Sequence, residues 1–243
     1  MIDSEAVIFI VRLVFIAIVA YLLGSVNTSI IVGKFYGVDI KKEGSGNAGL
    51  TNTLRTLGKK AALVVLVGDI LKGVIAILLA RVLAPVLRTD FTMGDNIVMT
   101  REKIYIELAM QVAGIAVVLG HIFPIFYGFK GGKGVLTSIT VILMTQWQVG
   151  LACIGIFAIV VLLTRYVSLG STLAAIACPF FMAGFSKWFE SINEFSWIWF
   201  SCILAVFVIV GHRGNIVRLF NNTERKFGES KEKYEERMAK LAK

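Results

Sequence analysis

Proline, cysteine and histidine are all scarce in this chain, at three, three and two of 243 residues. Cys153, Cys178 and Cys202 each fall inside an apolar run, with no C-x-x-C spacing and no histidine beside them. That argues against a disulfide framework and a zinc site, and leaves them as small packing residues. The five-residue offset from histidine to aspartate used in some acid–base pairs is missing, because Phe126 follows His121 at that spacing and Val217 follows His212. There is no G-x-S-x-G nucleophile elbow and no H-E-x-x-H metal motif. The glycine-rich stretch around Gly132 is not a nucleotide loop either: no glycine lies five residues before it, and Gly134 follows Lys133 where serine or threonine is needed. Chemistry in such a chain has to rest on anion binding, positioning and electrostatics instead of a protein nucleophile.

Acidic side chains are also few, 16 against 25 basic ones, for a net charge of +9. What the chain has in abundance is apolar surface: 57% of residues are hydrophobic and the mean hydropathy is +0.79. One soluble core does not need that much, so the expected class is an all-α, polytopic membrane protein. Apolar windows run near 6–33, 61–87, 104–120, 134–144, 148–163, 167–185 and 195–211. Several reach the roughly 20 residues that cross ~30 Å of hydrocarbon. They predict about seven transmembrane helices, some short or broken. The window at 134–144 is too short to span alone, and treating it as a half-helix gives six full spans. The opening "MIDSEAVIFIVRLVFIAIVAYLLG" has acidic flanks, Arg12 inside the apolar run and no small-residue cleavage site, so it is expected to stay as the first helix.

Lysine and arginine placement sets orientation. With the N-terminus outside and the C-terminus cytoplasmic, the inner loops receive Lys34, Lys41, Lys42, Arg55, Lys59, Lys60, Lys130, Lys133, Arg165 and the basic tail. The outer loops keep Arg88, Arg101, Lys103 and Lys187. No internal repeat or low-complexity linker divides the chain. A single transmembrane domain over 1–221 and a charged cytoplasmic tail over 222–243 are expected; "ESKEKYEERMAKLAK" reads as a solvated or interfacial helix with no chemistry assigned.

Three polar stretches interrupt the apolar pattern, all on the predicted inner side. The first, residues 24–58, carries Ser25, Asn27, Ser45, Asn47, Thr51, Asn52 and Arg55. Its "GSGNAG" can take the positive-φ turns that aim successive backbone N–H groups at an anion. "LTNTLR" can then start a helix with Thr51 and Arg55 on one face near a positive dipole end. The second, "HIFPIFYGFKGGKGVLT" from His121, places Lys130, Gly131, Gly132, Lys133 and Gly134 ahead of an apolar helix, a plausible helix-terminal phosphate site. The third, residues 211–228, holds His212, Asn215, Arg218 and Glu224. Asp69 and Lys72, three apart inside the second span, can pair on one helix face, where intramembrane charges either neutralise each other or contribute to a site.

Taken together, "GSGNAGLTNTLRTLG" at 44–58, "DILKG" at 69–73, "GHIFPIFYGFKGGKGV" at 120–135, "RYVSLGS" at 165–171 and "HRGNIVRL…TERK" at 212–226 resemble the bacterial acyl-phosphate-dependent glycerol-3-phosphate acyltransferases, from about Leu23 to Lys226. The resemblance implies acyl transfer from acyl phosphate to the 1-hydroxyl of glycerol 3-phosphate, giving 1-acyl-glycerol 3-phosphate (lysophosphatidic acid) and phosphate, the first step of phospholipid synthesis. It implies a seven-helix, N-out and C-in protein of the bacterial cytoplasmic (inner) membrane with its motifs on the cytoplasmic side. Carried onto this chain, the serine and arginine of the first motif match Ser25 or Ser45 and Arg55, and His212 and Asn215 of the third complete the catalytic set. Asn47, Thr51, Asn52, Lys130, Gly131, Gly132, Lys133 and Gly134, with Ser171 from "SLGS", are expected to hold phosphate. Asp69, Lys72, His121 and Glu224 are expected to support them.

The expected partners are the two substrates and membrane lipid, with no nucleic acid, no cofactor and no metal. The chain departs from the family at Asn27, where a proline is usual, and at Lys41, where an arginine is usual; its segments near 88–103 and 186–194 look longer than the family needs. A substrate phosphate oxygen, with a second pKa of about 6, or His212 is the candidate acceptor of the hydroxyl proton. A transporter of a phosphorylated solute and a noncatalytic lipid-binding scaffold are the competing readings.

Overall fold

A computed structural model describes residues 4–85, 95–185 and 194–241. Only helices and one 3₁₀ turn occur among the described residues. In chain order these are α1 (Ser4–Ser25), α2 (Thr28–Phe35), α3 (Leu50–Leu83), α4 (Asp95–Ile122), the 3₁₀ turn Ile125–Tyr127, α5 (Val135–Thr145), α6 (Trp147–Thr164), α7 (Val167–Phe185), α8 (Glu194–Gly211), α9 (Arg213–Phe220) and α10 (Lys231–Leu241). Among the described residues, five spans are long and apolar enough to cross a membrane: Ala6–Phe35, Leu50–Leu83, Glu102–Tyr127, α6 and α7. The pair α8–α9, bent by 58°, makes a sixth if counted as one broken span. With 11 residues, α5 reaches only about 16 Å at 1.5 Å per residue, as its window predicted. The segment expected as a loop near 88–103 is helical from Asp95 onward. Residues 86–94 and 186–193, including Arg88 and Lys187, lie outside the described residues.

Local sequence explains the breaks. Between α1 and α2, Asn27 caps the second helix, its side-chain oxygen accepting from the Ile30 N–H at 3.1 Å. The residue that replaces the family's proline therefore starts a helix by capping instead of by ring constraint. α3 opens eleven residues ahead of its predicted window because a kink at Gly58, with φ of +82°, joins a short amphipathic helix to the span proper. Arg165 adopts φ of +64° between α6 and α7. Arg12, anomalous in an apolar run, donates to the carbonyl of Pro85 at the end of α3, so its charge meets a backbone dipole instead of lipid.

The core is a contiguous set of mostly small and branched side chains from α1 and α3 to α8, including Ala20, Ile77, Ala113, Val117, Val141, Val149, Met182 and Phe200. Outward-facing residues of α1, such as Val11 and Phe15, are apolar and exposed, as a lipid-facing surface requires. α1 crosses α4 where two glycines meet backbone: a Cβ on Gly24 would overlap the Val117 carbonyl, and one on Gly120 the Tyr21 carbonyl. Small residues at a helix crossing allow this contact. It carries the C-terminal end of α1 to the loop after α4, where Tyr21 donates to the Phe123 carbonyl at 2.7 Å. Four loops collect at that end. Lys41 donates to the Tyr127 carbonyl at 3.1 Å, Lys133 reaches Asn215, and Arg165 donates to the Phe227 carbonyl at 2.9 Å.

The Gly24–Gly120 crossing gives a direct test of the packing. Gly120→Ala forces the α1 and α4 backbones apart and is expected to destabilise the protein by about 3 kcal/mol, the upper range for overpacking a core. Thermal unfolding in detergent measures it; an unchanged midpoint would refute the contact.

Candidate active site

One cavity of about 390 Å³ opens among the gathered loops and runs down between α5, α6, α7 and α8. Its deep part is alkyl and sulfur: Ile139 and Ile142 of α5, Ile154 and Phe157 of α6, Cys178 of α7 and Val208 of α8 line it. Cys153 lies there too, so two of the three cysteines pack against its wall, as small apolar residues do. Its mouth is polar, and residues from all three sequence motifs converge there.

From the first motif, Ser45, Asn47, Thr51, Asn52 and Arg55 line the mouth. Gly49 precedes α3 without any side-chain cap, so the first N–H groups of that helix face the opening beside Thr51. Asn52 serves the loop more than the opening. Its Oδ1 accepts from Ser45 N–H at 2.8 Å, and its Nδ2 donates to the carbonyls of Ile40 and Glu43 at 3.1 and 2.9 Å. Both of its amide hydrogens are thereby held in the loop, a pinning role where phosphate contact was expected. Ser25 is fully buried, accepts the Ile125 N–H at 3.4 Å and does not reach the cavity, so of the two candidate serines only Ser45 stands at the site.

From the second motif, Lys133 and Gly134 line the mouth; Gly134 takes φ of +75° and turns the chain into α5. Lys130 is exposed and does not line it. Gly131 and Gly132 do not line it either, and their N–H groups donate to the carbonyls of Ile122 and His121 at 3.0 and 3.1 Å. A Cβ on Gly132 would collide with His121 Nε2 and with the Ala48 carbonyl. These glycines let the loop lie against α4 and the first motif, where the sequence suggested close approach to a ligand.

From the third motif, His212, Asn215 and Glu224 all line the mouth, joined by Ser168 and Ser171 at the start of α7. The Asn215 Oδ1 accepts from Lys133 Nζ while its Nδ2 donates to Glu224 Oε1 at 2.6 Å. Glu224 also accepts from Ser168 Oγ at 2.8 Å and from Arg218 Nε at 2.7 Å. Burial pushes the Glu224 carboxyl up, yet these three donors outweigh it and hold the group below its ordinary value, as a carboxylate. His212 Nδ1 lies 2.8 Å from the Val208 carbonyl, which only accepts, so Nδ1 carries the proton and Nε2 is left as an acceptor. Ser171 donates to the Val167 carbonyl at 2.9 Å. Arg55 donates to the Arg225 carbonyl at 3.3 Å.

Behind the mouth, the Asp69–Lys72 pair expected from the spacing closes at 2.9 Å, with side chains 2% and 5% exposed. Lys72 Nζ also lies 2.7 Å from His121 Nδ1 and donates to the carbonyls of Gly24 and Val26. Donation by the ammonium makes Nδ1 the acceptor, which places the His121 proton on Nε2. Lys72 itself stays outside the cavity, whereas Asp69 and His121 line it.

Sequence reasoning missed Ser168 and Ser138. The Ser138 Oγ is buried against the cavity wall without a partner, as is Thr137 Oγ1 nearby, among the described residues. The signal was present in "GVLTSIT", two adjacent hydroxyls in the first turn of a helix too short to span. Among the described residues no three His, Cys, Asp or Glu side chains converge to hold a metal ion.

A cavity with apolar walls below and cations at its rim, set among apolar helices, marks a polytopic membrane protein. Residues 14–222 match the family described as glycerol-3-phosphate acyltransferase. A relative of that name from Clostridioides difficile (strain 630) is 42% identical over 220 residues, covering 90% of this chain and 97% of its own. Another from Trichormus variabilis (strain ATCC 29413 / PCC 7937) is 42% identical over 217 residues, covering 88% and 91%. The fold is similar to the crystal structure of PlsY (YgiH), an integral membrane glycerol 3-phosphate acyltransferase. Its glycerol 3-phosphate form gives a TM-score of 0.70 at 34% identity over 89% of this chain and 96% of that one. Its lysophosphatidic acid form gives 0.68 at the same identity. The chain belongs to the glycerol-3-phosphate acyltransferase family.

The buried Asp69–Lys72–His121 group is separable from the cavity by its energetics. Removing one partner strands a charge, so Lys72→Met alone is expected to destabilise by about 3–5 kcal/mol, whereas Asp69→Asn combined with Lys72→Met recovers most of that. A double-mutant cycle of unfolding midpoints checks it; additive losses would rule out the pairing.

Proposed function

We propose that the cavity seats acyl phosphate and glycerol 3-phosphate together and transfers the acyl group to the 1-hydroxyl, giving lysophosphatidic acid and inorganic phosphate. The observation that carries this reading is the continuity of the cavity: the same space offers cations and helix N-termini at its mouth and an alkyl slot below. A fatty acyl chain fits the slot, and anionic heads fit Lys133, Arg55 and the uncapped starts of α3 and α5.

Ser45, Asn47, Thr51 and Ser171, with Ser138, supply neutral donors around them, and His121 lines the back wall. Asn52, Gly131 and Gly132 act by shaping the loops; Lys130 and Ser25 stand outside this set. The hydroxyl oxygen attacks the acyl carbon, the bond from that carbon to the phosphate oxygen breaks, and phosphate leaves with its electron pair. The proton passes to a phosphate oxygen or to His212 Nε2, the ring nitrogen that the Val208 contact leaves free to accept.

We place the cavity mouth on the cytoplasmic side of the bacterial inner membrane. The clustered cations at that end follow the positive-inside pattern. The chain leaves and returns to the gathered loops through α3 with α4, α5 with α6 and α7 with α8, while α1 enters from the far end, which fits seven crossings with α5 as a short one. Substrates on that side are accessible from the cytosol.

Two measurements test the reading. Purified protein in detergent is expected to release phosphate only when both acyl phosphate and glycerol 3-phosphate are supplied; a transporter or a scaffold would release none. The second concerns pH. Burial pulls the Lys133 ammonium down to about 8, with Arg218 and Arg55 adding to the fall and Glu224 opposing it. Lys133 is therefore charged below about 8 and neutral above, so affinity for phosphate is lost as pH rises through that value. A substrate phosphate becomes a dianion above about 6. kcat/KM is thus expected to peak between these limits, and Lys133→Arg, charged at all working pH, to remove the upper limb even if the absolute rate falls. An upper limb that persists in that variant would take Lys133 out of the phosphate site.

A further inference from the structure

The stretch from Glu229 onward lies past the family match and was assigned no chemistry in the sequence reading, yet it is stitched to the site. Arg237 on α10 donates to the Asn222 carbonyl at 2.7 Å and the Glu224 carbonyl at 2.8 Å, and pairs with the Glu229 carboxylate at 2.9 Å. Tyr234 donates its hydroxyl to the Thr223 carbonyl at 3.1 Å, with the Arg225 and Arg237 guanidinium groups over its ring at 5.9 and 5.4 Å. Glu229 in turn accepts the Lys226 N–H at 3.0 Å, and its carbonyl accepts from Arg225 at 2.9 Å. The loop 222–229 is thereby fixed from the tail side.

Two contacts run from that same loop to the mouth cations. The Glu224 side chain holds Asn215, which accepts from Lys133, and the Arg225 carbonyl accepts from Arg55. We infer that Arg237 is a positioning residue: by tying down loop 222–229 it sets where Lys133 and Arg55 stand, and so sets affinity for the glycerol phosphate head. This rests on the reading of the cavity as the glycerol 3-phosphate site. Arg237 donates from α10 to both the Asn222 and Glu224 carbonyls, so its loss releases two backbone contacts at once. Arg225 and Glu229 remain to bind each other, which keeps the loop present but slack.

The test uses the full-length chain in detergent. Arg237→Met keeps the alkyl stem and removes the donors; losing charge-assisted hydrogen bonds is expected to raise KM for glycerol 3-phosphate about tenfold while kcat changes less than about threefold. Arg237→Lys, which can still reach one carbonyl, is expected to recover part of the rise. A KM at the unaltered value overturns the proposal. So does a joint fall of kcat and melting temperature with KM unmoved, which marks a general structural role. If Arg237→Met does not fold, Tyr234→Phe, which removes only the hydroxyl bond to Thr223, is measured instead with about a threefold rise expected, and an unchanged KM there counts against the clamp equally. The unaltered chain is the control: no turnover with both substrates sinks the reading of the cavity, whereas normal turnover with an unmoved variant KM sinks only the clamp.

Discussion

The bond from Lys133 to Asn215 is the interaction on which the rest of the site turns. A lysine at the edge of an apolar bundle needs a partner, and the choice of partner decides what the charge is available for. Lys72, deeper in the same bundle, meets the Asp69 carboxylate at 2.9 Å and is neutralised by it. Lys133 meets an amide oxygen, and the carboxylate of Glu224 is set one residue back, behind Asn215. The first arrangement is stable and closed. The second orients an ammonium without cancelling it, so a phosphate entering the mouth meets a net positive charge.

That arrangement depends on helices that stop in the right places. A continuous membrane helix satisfies its own backbone and offers a ligand only side chains. Here the chain is interrupted at Asn27, at Gly58, between Tyr127 and Val135, at Arg165 and at His212, all at one end of the bundle. Each break exposes helix termini or turns whose N–H groups and carbonyls must find partners. Some do so internally, as Gly131 and Gly132 do on α4, and others face the cavity, as the starts of α3 and α5 do. The short α5 brings its N-terminus to the mouth and its side chains to the alkyl slot, so one helix borders both halves of the cavity.

Much of this was legible in the sequence, because membrane helices announce themselves by composition and because charge inside a span demands an explanation. The helix windows and the Asp69–Lys72 pair could be read from residue types and order, and the grouping of Arg55, Lys133, His212, Asn215 and Glu224 followed from the resemblance of the motifs. What could not be read was how a polar residue divides its hydrogen bonds between loop and ligand. Asn52 and Ser45 both border the opening and look alike as candidates, yet the Asn52 amide is committed to Ile40, Glu43 and Ser45. Ser25 and Ser45 were interchangeable until packing against Ile125 buried the former. The glycines of the second motif had the right chemistry for ligand approach, and only the position of His121 shows that the close neighbour is protein. The tail looked like solvated helix because its charges are of mixed sign, and its bonds to loop carbonyls depend on a chain reversal that no local pattern encodes.

The two histidines carry the argument one step further. His121 has its Nδ1 held by the Lys72 ammonium and so presents Nε2–H, whereas His212 has its Nδ1–H held by the Val208 carbonyl and so presents a bare Nε2. Opposite partners on the same ring atom make one imidazole a donor and the other an acceptor while both stay neutral. In a cavity with alkyl walls this matters, because every added fixed charge has to be desolvated. Polar guidance of the substrates is then proposed to come from neutral groups; the Asp69 and Glu224 carboxylates are each matched by a cation, and the charge left over is that of Arg55 and Lys133, whose sign matches the anionic heads they are proposed to receive.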